Sequence, residues 1–486
     1  MTESTTPWVA AIVMIGAVLM DMIDITIVNV ALPTIGVDLG ASGSELQWVI
    51  SAYLLAFAAA LITSGRIGDL LGRKRVFLAG TVAFGLASLA AGLAQDPAHL
   101  IGARVVQGLG AAAMVPQVLG TFRAMFSGED RGKAFGLYGA ILGFASALGL
   151  VLGGLLTNAD LFGLSWRPIF LINVPIALAA TIATIRVVPE TRELSPARPD
   201  VLGAVVLAAS LAAVAYPLLE GREHGWPAWT WLTLGAGLLG LVMLGAVESR
   251  RRSDRIAPLL MPGLLRIPAV SSGLIVMIAF AAGLQGFFVT FALWIQLGQG
   301  FSPLAAGLVT TLFSAGSFAL APMAASLAQR FGRTVLSLGA VMLAGGTVWL
   351  GLAASAVGTD GHRWWPIAPG LVIAGAGLSL LVIPLVNVVL AAVPAEVAGG
   401  VGGQFTTAQQ LGGALGVAAV GTVFFSALQS RGDYTEAFTA SLPLSIGLFV
   451  VAAALSLALP KTAVSEEDAI AATVGSPRTA EPVRQP

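Results

Sequence analysis

Long apolar runs separated by short charged clusters dominate the chain. Residues 267–329 contain no Asp, Glu, Lys or Arg, and neither do 334–359, 364–395, 397–430 or 437–460. A helix rises about 1.5 Å per residue, so about 20 apolar residues cross a hydrocarbon layer of roughly 30 Å. Divided on that length, the chain gives fourteen spans: 8–32, 47–65, 76–94, 98–121, 134–157, 168–187, 201–219, 228–247, 270–296, 304–328, 335–356, 367–391, 403–427 and 440–459. Membrane β-strands would show weak alternation over about 10 residues rather than such continuous runs. The pattern predicts an all-α integral membrane protein.

Charge then orients it. Loops on one face hold Arg66, Arg73, Lys74 and Arg75; Arg123, Arg131 and Lys133; Arg186, Arg192 and Arg198; Arg250, Arg251, Arg252, Arg255 and Arg266; Arg330 and Arg333. The other face holds Arg167, Arg222, Arg363 and Arg431. Cytoplasmic loops retain positive charge, so both termini are expected in the cytoplasm of a multi-pass cell-membrane protein. The start lacks a basic n-region and a small-residue cleavage site, so helix 1 is expected to stay. Of the 486 residues 57% are apolar and 10% charged, against about 25% charged in soluble domains. Zero net charge and no basic tract argue against nucleic acid as a partner, and the lack of cysteine excludes disulfides and thiol chemistry.

The segment Gly65-Arg-Ile-Gly-Asp-Leu-Leu-Gly-Arg-Lys-Arg75 has a weaker copy 260 residues later, Ala325-Ser-Leu-Ala-Gln-Arg-Phe-Gly-Arg333. Each follows the second helix of a set of six. The expected organisation is therefore a six-helix bundle over 1–190, two linker helices with a cytoplasmic connection over 191–266, a second six-helix bundle over 267–460 and a polar tail over 461–486. Duplicated halves are a usual basis of alternating access around a mid-membrane site. Glycines four apart let helices approach closely. Gly149, Gly153 and Gly154 in the fifth helix, with Gly412 and Gly416 in the thirteenth, are read as a smooth interface on which the two bundles slide; tight static packing is the plainer reading.

Several segments resemble the fourteen-span drug:proton antiporters of the major facilitator superfamily, over nearly the whole chain. Ile23-Asp-Ile-Thr-Ile-Val-Asn-Val-Ala-Leu-Pro33 looks like that family's helix 1 signature. Gly65 to Arg75 is similar to the superfamily's cytoplasmic gate motif, and Arg104-Val-Val-Gln-Gly-Leu-Gly110 to its helix 4 motif. Gly149-Leu-Val-Leu-Gly-Gly154 looks like the antiporter motif, with Leu150 where the family has proline. The stretches Trp166 to Pro175, Gly300 to Pro303 and Gln410 to Gly416 match as well, with Pro168 standing in place of an aromatic residue. The resemblance implies a major facilitator fold with two inserted helices, and a proton-coupled exporter.

Asp21 and Asp24 are the acidic residues well inside a predicted span, one helical turn apart on neighbouring positions of one face. A carboxyl in low dielectric can load a proton on one side of a membrane and release it on the other. Asp24, with Asp21, is therefore expected to couple protons; a structural carboxyl hydrogen-bonded within the bundle is the alternative. Arg104 is the basic residue inside a span, and the resemblance implies that it faces helix 1 near Asp24. Gly65, Gly68 and Gly72 are read as a tight turn, with Asp69 close to the start of helix 3 and Arg73 able to pair with it, together a cytoplasmic gate between halves. Asn29, Gln107, Gln117, Gln285, Gln296, Asn387 and Gln409 are candidate cavity residues, although amides in membranes more often join helices.

A lipophilic neutral or cationic small molecule suits an apolar cavity holding carboxylates. The expected partners are that cargo, protons and the lipid bilayer, with no cofactor, no metal and no enzymatic activity, in a chain acting as a monomer. An importer or lipid carrier on the same fold is the nearest alternative. A membrane prenyl-transfer enzyme would need a second acidic cluster on another helix to hold Mg²⁺, and the sequence has none.

Overall fold

The computed structural model describes residues 5–193, 198–250, 256–257, 262–357, 363–394 and 398–459; the expected tail over 461–486 lies outside them. Among the described residues, fourteen helices are long and apolar enough to cross a membrane. The first six are α1 (Thr5–Leu39), α2 (Gly43–Leu71), α3 (Arg73–Gly92), α4 (Pro97–Met125), α5 (Gly128–Ala159) and α6 (Pro168–Val187). Two more follow, α7 (Val201–Glu220) and α8 (Ala228–Arg250). The last six are α9 (Pro268–Gly298), α10 (Pro303–Phe331), α11 (Thr334–Ala356), α12 (Ala368–Ala391), α13 (Ala398–Arg431) and α14 (Tyr434–Ser456).

Prolines shape several of these helices by removing the N–H that would bond four residues back. Pro175 withholds that bond from Leu171, and α6 is interrupted at Ile172. In α4, Pro116 leaves the Ala112 carbonyl free within the helix, and the Ser64 hydroxyl of α2 donates to it. A carbonyl that would otherwise be stranded in the bundle thereby ties two helices together.

The two halves pack by the same rule. In the first, α1 packs on α5, α2 and α3 on α4, and α3 on α6; in the second, α9 packs on α13, α10 and α11 on α12, and α11 on α14. Between halves the exchange is reciprocal: α2 packs on α13, and α10 packs on α5. Gly72 and Gly332 each join the second and third helices of their half with positive φ, 110° and 61°. That shared backbone turn gives the 260-residue repeat its structural counterpart.

The α5–α10 seam is shut at the arginine-poor face. A Cβ on Gly307 would lie 2.4 Å from the Leu150 carbonyl oxygen, and one on Gly154 would lie 2.7 Å from that of Pro303. Farther along α5, towards the arginine-rich face, Cβ atoms on Gly136 and Gly139 would meet nothing within 4 Å. On the α2–α13 seam, Gly421 presses on Gln47 and Gly413 on Leu54.

The inserted pair is asymmetric. Helix α7 lies across the α2–α13 seam and contacts both, whereas α8 packs chiefly on α7. The Thr422 hydroxyl of α13 donates to the Leu218 carbonyl at 2.9 Å, and Trp48 Nε1 of α2 donates to Glu220 at 2.8 Å. One departure from the all-helical expectation is a short parallel pair of strands, β1 (Arg198–Pro199) and β2 (Ile256–Ala257), bracketing α7 and α8.

Candidate functional site

Near the middle of α1 lies a buried charged cluster. Asp21 and Asp24 have 0% exposure and Arg104 has 1%. Isolated ions are costly at that depth, so each must find partners. Arg104 Nη1 pairs with Asp24 Oδ2 and also donates to Gln107 Oε1 at 2.6 Å, while its Nε donates to the Val49 carbonyl at 3.1 Å. The other Asp24 oxygen accepts from Gln107 Nε2 at 2.8 Å and from Asn173 Nδ2 at 2.9 Å. Gln107 in turn reaches Ser88 Oγ at 2.9 Å. Helices α1, α4 and α6 thus meet at one carboxylate, while α2 and α3 hold the residues that bond it.

Asp21 has a different setting. Its Oδ1 accepts from the Tyr53 hydroxyl, and its Oδ2 is buried without a hydrogen-bond partner among the described residues. The Tyr53 ring lies under the Arg104 guanidinium, 4.2 Å from centroid to Cζ, a cation–π contact that links the two aspartates through one aromatic side chain. Tyr53, Ser88 and Asn173 were not singled out by the sequence. Asn173 lies in the matching stretch Trp166 to Pro175, a usable signal; Tyr53 and Ser88 carried none.

The gate segment departs from its expected geometry. Gly65 and Gly68 lie inside α2, and Gly72 alone makes the turn. Gly68 instead serves a close approach, since a Cβ there would lie 1.9 Å from Gln117 Oε1. Asp69 belongs to the last turn of α2, four residues before α3 begins at Arg73. Arg73 does pair with it, at 2.6 Å and 3.1 Å, and also donates to the Gly120 carbonyl at 3.2 Å. The Arg73 and Glu193 amides bond the Thr191 and Asp69 carbonyls. Every hydrogen bond of Asp69 and Arg73 among the described residues stays within the first half and the segment that follows it.

The glycine expectation needs a similar correction. Gly149 and Gly153 face Thr26 and Ile27 of α1, while Gly412 and Gly416 face Ile278 and Ala282 of α9. These four join helices within a half. Gly154 faces α10 and lies between halves, together with Gly307, Gly413 and Gly421. Spacing reveals a small-residue face but not the helix that covers it.

The candidate cavity amides scatter. Gln107 enters the charged cluster. Gln117 donates to the Ser64 carbonyl at 2.9 Å and joins α4 to α2. The end of α9 is a π-helical turn, Trp294–Gly298, from which Gln296 donates across the halves to the Val30 carbonyl at 2.8 Å. Asn29 donates to its own helix at Ile25, 3.3 Å away. Gln285 is half-buried beside Gly413, and Asn387 and Gln409 are exposed.

A paired bundle of this topology, with a charged cluster inside one half, defines a class of membrane transporter. The model of the Major Facilitator Superfamily matches residues 14–417 and 273–477, and the chain belongs to that family. A protein of Streptomyces coelicolor named "Probable actinorhodin transporter" is 40% identical over 427 residues, covering 87% of this chain and 73% of that protein. The puromycin resistance protein of Streptomyces alboniger is 34% identical over 93% of this chain and 91% of its own length. The tetracenomycin C resistance and export protein of Streptomyces glaucescens is 32% identical over 86% and 76%. Among solved structures, one of proton-dependent oligopeptide transporters aligns with a TM-score of 0.66 at 16% identity, over 93% of this chain and 97% of that one. At that identity the likeness shows the fold alone.

Proposed function

We propose that the chain is a proton-coupled exporter of lipophilic neutral or cationic small molecules such as antibiotics or dyes, working by alternating access as a monomer in the cell membrane. Both termini lie in the cytoplasm, and the proton is the coupling ion. The observation that carries this reading is the buried cluster of Asp21, Asp24 and Arg104, at a depth where ions are retained for function. Reciprocal packing of the halves supports rocking of one against the other, and three relatives of 32–40% identity have names that include transport, resistance or export. With the arginine-rich face cytoplasmic, the seam closed beside Gly154 and Gly307 makes this the state shut towards the outside.

A susceptibility panel on cells with and without the protein tests export. Cells producing it should tolerate at least one lipophilic antibiotic or dye at about tenfold higher concentration, a difference of about 1.4 kcal/mol in effective exposure. Asp24→Asn, which leaves Arg104 without its counter-ion, should abolish the gain. Equal susceptibility with and without the protein across the panel would refute export.

A further inference from the structure

The two aspartates of α1 are one turn apart and equally buried, yet their oxygens are used differently. Both oxygens of Asp24 are occupied by N–H donors: Arg104 on one, Gln107 and Asn173 on the other. A proton placed on Asp24 would point a further donor at donors and strip Arg104 of its counter-ion. Asp21 keeps one oxygen bare, with the Tyr53 hydroxyl on the other. The groups facing Asp21 are Asp24 on its own helix, Tyr53 of α2, Arg104 of α4 and Tyr138 of α5. That set holds one permanent cation and two carboxyls. It is neutral when one carboxyl carries a proton, and the bare Oδ2 of Asp21 is the position open to it.

We propose that Asp21, not Asp24, carries the transported proton, and that Asp24 is a positioning residue that holds Arg104 against the Tyr53 ring. The proposal rests on the proton-coupled reading and divides its labour. In the loaded state Asp21 is a carboxylic acid with its proton on Oδ2, while its carbonyl oxygen Oδ1 accepts from Tyr53. When water reaches Oδ2 from the arginine-rich side, the O–H bond breaks, the proton leaves on water and a carboxylate remains. Tyr53 keeps donating to Oδ1, and Arg104 above the ring is the cation that steadies the new charge. Reloading from the opposite face restores the acid.

Infrared difference spectroscopy on the purified full chain in lipid nanodiscs, stepped through pH, reads the carbonyl stretch of a protonated carboxyl without needing cargo. The wild type should show one such band from a buried acid. Asp21→Asn should lose it, and Asp21→Glu should move it. Tyr53→Phe should raise its frequency, since the carbonyl loses a hydrogen bond while the ring remains. Survival of the band in Asp21→Asn would overturn the assignment, as would absence of any band in the wild type. Should Asp21→Asn not fold, the Asp21→Glu and Tyr53→Phe shifts decide: no movement in either overturns it. Whether a pH gradient moves cargo is a separate reading, so failure of coupling and failure of the assignment remain distinguishable.

Discussion

Arg104→Met is expected to destabilise the fold strongly. The substitution keeps an apolar stem but leaves the Asp24 carboxylate buried with two amide donors and no cation. Removing one member of a buried pair costs about 3–5 kcal/mol, a large part of the roughly 5–15 kcal/mol that holds a typical fold. Thermal unfolding of purified protein should register a clear fall in Tm or a collapse in yield. Combining Arg104→Met with Asp24→Asn should recover much of that loss, because the orphaned charge is gone. Arg104→Lys should fold but transport poorly, since one ammonium cannot reproduce the planar fork that reaches Val49, Gln107 and Asp24 together. An Arg104→Met protein melting like the wild type would show that the pair contributes little.

The second large effect is expected from Gly307→Val. Its Cβ would lie 2.4 Å from a backbone oxygen of α5, which cannot swing aside as a side chain would. Overpacking of this kind costs about 1–3 kcal/mol, equivalent to a population change of about 5- to 150-fold. That cost falls only on the state in which the arginine-poor ends meet, so transport should drop by about tenfold or more. The chain has no cysteine, so spin labels on Ala41→Cys and Gly432→Cys report the distance across that face without background. Gly307→Val should lengthen it. An unchanged distance distribution with full transport would contradict the closed seam.

These effects rest on features that differ in how far the sequence discloses them. The number and order of helices follow from hydropathy, because lipid forces every buried backbone group into a helix. Helix ends do not follow, since a helix persists in water after the apolar stretch stops. The first helix was expected to end at residue 32 and reaches Leu39, and the second reaches Leu71 rather than 65. That extension places Asp69 in the last turn of α2, close before α3, and reduces the expected tight turn to a single glycine. The charged cluster was half legible. Asp21, Asp24, Arg104 and Gln107 stand out because charge and amides are rare in apolar runs. Their partners come from other helices: Tyr53 and Ser88 are of types common in membranes, and Asn173 was signalled only by the matching stretch Trp166 to Pro175. The unequal use of the two aspartates was invisible, because it depends on which donors three other helices deliver.

Glycine spacing illustrates the same limit. Gly149 and Gly153 line one face of α5, and the sequence alone assigns that face equally well to a neighbour in the same half or in the other. Their actual partner is α1, the helix that carries the aspartates. A tilt of α5 therefore presses directly on Thr26 and Ile27, next to Asp24.

In the proposed mechanism, protons crossing through this cluster drive cargo the other way. Inverted membrane vesicles containing the protein, given an acid interior and the fluorescent dye cation ethidium, measure it directly. Dye should accumulate inside while the gradient stands, and leave when an ionophore dissipates it. Passive dye exchange should continue in Asp21→Asn without accumulation. Accumulation that persists after the gradient is collapsed, or that Asp21→Asn and Asp24→Asn both sustain at the wild-type rate, would contradict the account.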